Sequence, residues 1–239
     1  MSRSIAFALA ILASSSLSAR AAEVVAYSIA TNGGQASSTA TAVGNANSSA
    51  YSAATNGGQA ISNSHAVGIG NGFANSSSVA LADRGLAVSN SRADARGLFG
   101  SAALANSEST AATVGGVALS NSLAEADGRF NSVADSRSSS MALSHFGIAR
   151  SDSHARSDGL FGGRALAVSD SVADTRGGVA DSRVRAMAGA RNFGSAHANG
   201  LGVSMSGPRN VANARVTAVS RAERFGRSHS EGMMVRVRP

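Results

Sequence analysis

Small and variable positions alternate along most of this chain with a period of two. In GLAVSNSRADARG, GVALSNSLAEADG and GIARSDSHARSDG, the columns Ala87/Ala118/Ala149, Ser89/Ser120/Ser151, Ser91/Ser122/Ser153 and Ala93/Ala124/Ala155 hold only Ala or Ser. A degraded fourth copy, GVADSRVRAMAGA, keeps Ala180, Ser182 and Ala186 but has Val184 where the others have serine. The intervening positions vary freely: Val88, Leu119, Arg150 and Asp181 share one column, and Arg92, Leu123, His154 and Arg185 another. Period two is the strand signature, because successive side chains point to opposite faces of a sheet. The period of 3.6 that a helix needs is absent.

A second strand follows in each unit, with Ala103/Ala134/Ala165, Ser107/Ser138/Ser169, Ser109/Ser140/Ser171 and Ala111/Ala142/Ala173 in step. Each unit opens on Gly85, Gly116, Gly147 or Gly178, 31 residues apart, and Phe99, Phe130 and Phe161 keep the same interval. Upstream the step shortens to 27 residues (Gly58 to Gly85) and to 24 (TNGGQA at Thr31–Ala36 and again at Thr55–Ala60). A constant strand motif A-x-S-x-S-x-A with variable spacing implies that corners absorb insertions while strands stay in register. The expected fold is an all-β solenoid of 24- to 31-residue repeats, with Ala/Ser-faced strands and Gly corners that tolerate positive φ. The invariant Ala/Ser columns should face inward, since unpaired charge is costly to bury. The Phe column is expected to plug one edge of the stack.

Charge divides the chain into blocks. Residues 1–21 read as a secretory signal: Arg3, a short apolar run IAFALAILA, and Ala19-Arg20-Ala21 as a cleavage site. That run is too short to span a bilayer as a helix. Residues 22–82 are Asn/Gly/Ser/Ala-rich, with no charged side chain from Val24 to Ala82. Residues 83–181 hold the regular repeats with 9 Arg against 11 acids, and 182–239 form a basic tail with 10 Arg against 2 acids. This organisation implies a secreted or cell-surface protein.

The chain contains no Cys and no Lys; all 21 basic residues are Arg. Thiol nucleophiles, thiolate zinc sites, Walker A lysines and Schiff bases are thereby excluded. No metal or cofactor set is predicted: the five histidines show no paired ligand spacing, and the G-x-G runs do not open a helix. No catalytic residue is predicted either. Ser153 and His154 are neighbours, so on a strand they face opposite ways and cannot share a site. A pectinase-like enzyme would need a wider coil with convergent acids. Ice binding would need the regular S-x-S hydroxyls outside, and they are expected inside. Asn47 and Asn75 head N-S-S glycosylation acceptors, in a eukaryotic host only. The candidate polyanion-binding residues are Arg209, Arg215, Arg221, Arg224, Arg227, Arg236 and Arg238 in the tail. Nucleic acid is disfavoured because the tail offers no aromatic stacking platform. The ending MMVRVRP alternates apolar and basic residues, as a last edge strand would.

The segments SNSHAVGIG, SNSRADARG and SNSLAEADG resemble the N-S-x-A-x-G coils of trimeric autotransporter adhesin heads, over roughly residues 34–189. That family has an apolar residue before the glycine where this chain has Arg96, Asp127 and Asp158. The resemblance implies extracellular adhesion. The combined expectation is a non-enzymatic structural or adhesive repeat protein. It would associate with itself into oligomers, filaments or matrix, or bind an anionic surface or polysaccharide through its Arg-rich end.

Overall fold

The computed structural model describes residues 21–70, 72–98, 100–207, 211–224 and 226–237. The predicted signal segment, save Ala21, lies outside these residues, as do Phe99, Arg209 and Arg238. The strands are β1 (Ala21–Ala30), β2 (Gln35–Val43), β3 (Asn45–Ala54), β4 (Gln59–Gly70), β5 (Phe73–Ala82), β6 (Leu86–Leu98), β7 (Ala102–Arg129), β8 (Val133–Leu160), β9 (Arg164–Arg191), β10 (Ser195–Ser206), β11 (Val211–Glu223) and β12 (Arg227–Val237). Every pairing is parallel and joins equivalent repeat positions, as Ser89↔Ser120 and Ser120↔Ser151 illustrate. One sheet runs β1-β3-β5-β7-β8-β9-β10-β12. The second runs β2-β4-β6-β7-β8-β9-β11, the long strands β7, β8 and β9 bending at a corner to serve both. The chain is therefore a β-solenoid of about 6 turns, all-β as its alternation predicts.

The two sheets meet through serine. Each strand's S-x-S gives one inward hydroxyl to each of two zigzags that cross between sheets. In the first, Ser91 Oγ donates to Ser76 O at 2.7 Å, and Ser153 Oγ to Ser138 O at 2.7 Å. In the second, Ser120 Oγ donates to Ser109 O at 2.7 Å, and Ser151 Oγ to Ser140 O at 2.6 Å. Hydroxyl oxygens of opposite sheets lie 2.9–3.0 Å apart, so nothing larger than serine fits between them. Alanine columns flank the zigzags and are fully buried, among them Ala87, Ala118, Ala149 and Ala180. Every buried hydroxyl in a zigzag thus finds a partner, as burial demands.

At Val184 the serine pattern stops. Val184 and Val216 fill the space that hydroxyls occupy elsewhere, and the facing strand supplies Gly200 and Gly202. A Cβ on Gly200 would sit 2.9 Å from Val184 Cγ1 and 3.0 Å from Val216 Cγ1. The degraded repeat is a volume-compensated exchange, Val against Gly in place of Ser against Ser.

The corner glycines are explained by rung-to-rung approach. Gly116, Gly147 and Gly178 hold φ of 137–138°, and a Cβ on any of them would strike the carbonyl oxygen of the corner glycine one turn before. At the opposite corner the expected Phe plug is corrected. Phe130 and Phe161 lie 43% and 50% exposed, with φ of 56° and 55°. A left-handed corner residue directs its Cβ away from the core, so these rings stack on each other outside, at 5.1 Å and 4°.

A candidate groove on the second sheet

Two outward columns of the second sheet enclose a long concavity. The first reads Asn63, Asn90, Asn121, Asp152, Arg183 and Arg215, one per rung. The second reads His65, Arg92, Leu123, His154, Arg185 and Thr217. Between them lies a groove of about 490 Å³, floored by the strand backbone at Ser64, Ser91, Ser122 and Ser153. Three guanidinium groups line it, those of Arg92, Arg183 and Arg185, against one carboxylate, Asp152.

The asparagines form an amide ladder. Asn90 Nδ2 donates to Asn63 Oδ1 at 2.9 Å, and Asn121 Nδ2 to Asn90 Oδ1 at 2.8 Å. Each amide inside the ladder still has a second N–H and a second lone pair for a ligand. Where the ladder ends, charge takes over. Asp152 sits 3.2 Å from Arg150 Nε and 4.0 Å from Arg183 Nε, and Arg183 Nη2 reaches Asp181 at 3.1 Å. On the other wall Asp94 is held by His65 Nε2 at 3.2 Å and Arg92 Nε at 3.0 Å. Arg185 and Arg215 are exposed and form no ion pair among the described residues. His154 Nε2 and Arg183 Nε are buried atoms without hydrogen-bond partners among the described residues. Burial, then Arg185 and Arg156, pulls the His154 pKa below its ordinary value, so its ring is neutral at pH 7.

The tail arginines do not gather at one place. Arg215 extends the amide wall of the groove on β11. Arg221 shares that sheet further along and pairs with Glu223 at 3.0 Å. Arg224 occupies a left-handed corner, with φ of 54°. Arg227 opens β12 on the first sheet, and Arg236 donates through Nη2 to Ala214 O at 3.0 Å. The tail ending does form a strand, β12, whose residues are almost all exposed. Alternation by itself does not single out Arg183, Arg185 or the asparagines. The available signal is the residue between the paired serines in SNSHA, SNSRA and SNSLA.

Ser153 and His154 do face opposite ways: Ser153 is locked in the interior zigzag while His154 lines the groove. Asn47 and Asn75 stand on β3 and β5 in an outward column that continues to Asn106, whose Nδ2 donates to Asn75 Oδ1 at 3.2 Å. Among the described residues no His/Asp/Glu group is placed to hold a metal ion, and no helix is long and apolar enough to cross a membrane. Compared with known protein families, characterised proteins and solved structures, the chain matches none.

Proposed function

We propose that the chain is a secreted, non-enzymatic structural or adhesive repeat protein that associates with itself through its N-terminal end. One observation carries this reading. Among the described residues β1 pairs only with β3 and β2 only with β4, so within them the other edges of both strands present unpaired backbone. Exposed strand edges are templates for pairing, and proteins normally blunt them with charge or proline. Here β2 has neither, and β1 carries only Glu23. The secretory reading rests on the first 21 residues. The adhesive reading is supported by the likeness of its coils to autotransporter adhesin heads.

The test is sedimentation of the chain starting at Ala22. Association that rises with concentration is expected, and lysines at the exposed positions Ser37 and Thr41 should abolish it. A parent chain that stays monomeric at high concentration rejects the proposal.

A further inference from the structure

The groove of the second sheet lies on the outward face of paired strands and reaches the edge strand β2 only at Thr39 and Ala40, so most of its chemistry is separate from the backbone edge assigned to self-association. We propose that it binds a linear acidic polysaccharide, laid along the solenoid axis. Three features select that ligand. First, the groove repeats at a spacing of about 4.8 Å: Asn63, Asn90 and Asn121 present an amide on three successive rungs, followed by Asp152, whose charge is paired with Arg150, and then by Arg183. A polymer of repeating units meets such a ladder in register, whereas a compact ligand does not. Second, the free amide valences of Asn63, Asn90 and Asn121 offer a donor and an acceptor side by side, which is what sugar hydroxyls require. Third, Arg183 and Arg185 line the C-terminal end of the groove and Arg215 continues the Arg183 column one rung beyond it; Arg185 and Arg215 form no ion pair among the described residues. Guanidinium groups bind carboxylates or sulfates in charge-assisted pairs.

Other polyanions fit less well. Two imidazoles, His65 and His154, but no Phe, Tyr or Trp line the groove among the described residues, so single-stranded nucleic acid would find no run of large stacking rings. An extended peptide gains its main-chain bonds at a sheet edge, not on a face.

The experiment is titration of the chain from Ala22 with a polygalacturonate hexasaccharide, with maltohexaose as the neutral counterpart. Single-stranded DNA and oligoglutamate of equal charge serve as the other probes. The uronate oligomer should bind, and the neutral sugar should bind at least about tenfold more weakly. Arg185→Ser with Arg215→Ser should cost roughly tenfold or more, while Arg224→Ser with Arg227→Ser should change affinity less than about twofold. Asn90→Ala should weaken the uronate and leave any DNA binding unchanged. All these positions are outward, and an unchanged β-type circular dichroism spectrum verifies folding. Equal losses from the two arginine pairs would overturn the proposal, as would DNA or oligoglutamate matching the uronate. Failure of self-association would leave these outcomes unaffected.

Discussion

At the scale of single residues the core is decided by hydroxyl accounting. Ser120 donates to Ser109 O and lies 3.0 Å from the hydroxyls of both Ser109 and Ser140. Ser136 is equally buried, but its hydroxyl has no partner among the described residues and its rung neighbours are Ala105 and Ala167. The same substitution should therefore act in opposite directions. Ser120→Ala should lose about 1–2 kcal/mol, and Ser136→Ala should gain about 1 kcal/mol, because an unsatisfied buried hydroxyl costs more than it returns. Urea unfolding of the two variants checks this; equal destabilisation would show that the zigzag bonds carry no weight. The charge on the half-buried Asp170 gives a second test. Burial raises its pKa above the ordinary carboxylate value, so the unfolded chain holds fewer protons there and stability falls as pH rises through that range. At pH 7 the penalty is fully present. Asp170→Asn should raise the melting temperature at pH 7, and the gain should vanish below the unfolded carboxylate pKa of about 3.9. A gain that persists at acid pH would point to packing instead.

At the scale of elements, alternation along the chain is enough to make the strands and their inward faces legible. Ala and Ser recur at period two, and only one side of each strand tolerates Arg, Asp or His. What the alternation hides is any relation between strands distant in the repeat. The serine zigzags join hydroxyls 11 to 20 residues apart on opposite sheets, a pairing that no single-strand pattern contains. The groove is hidden for the opposite reason: its walls are the variable columns, and Asn63, Asp152 and Arg183 reveal their common line only once the rungs are stacked. The Val184 substitution reads as decay in one strand and as compensation across two. Gly200→Ala should cost about 1–3 kcal/mol through overpacking against Val184 and Val216. Adding Val184→Ala should recover part of that loss, giving a positive coupling in a double-mutant cycle. Additive losses would mean that the two positions do not share space.

At the scale of the whole molecule the solenoid tapers, and the taper governs how copies associate. The first turn takes 24 residues, from Ala21 to its partner Asn45, and the last takes 32, from Ser195 to Arg227. β2 has 9 residues and β11, at the far end of the same sheet, has 13. Head-to-tail stacking would lay a narrow coil whose only charge is Glu23 on a wide one that carries Arg215, Arg221 and Glu223 on β11 and Arg227, Glu231 and Arg236 on β12. Part of the wide coil's charged edge would be left uncovered, and the charge of Arg236 would have to be buried in the seam with no acid of the facing coil beside it but Glu23. Two C-terminal ends would set like charges against each other. Two N-terminal ends match instead: a two-fold axis normal to the sheets brings β1 against β1 and β2 against β2 of the second copy, antiparallel, at equal length and with little charge. That contact is isologous and closes on itself, so it yields dimers rather than filaments. Sedimentation should show one step from monomer to dimer, and small-angle scattering should show the extent along the solenoid axis doubling in that step. Open filaments growing with concentration would show that the C-terminal coil also pairs, and the charged edge of β11 and β12 would then have no role in limiting assembly.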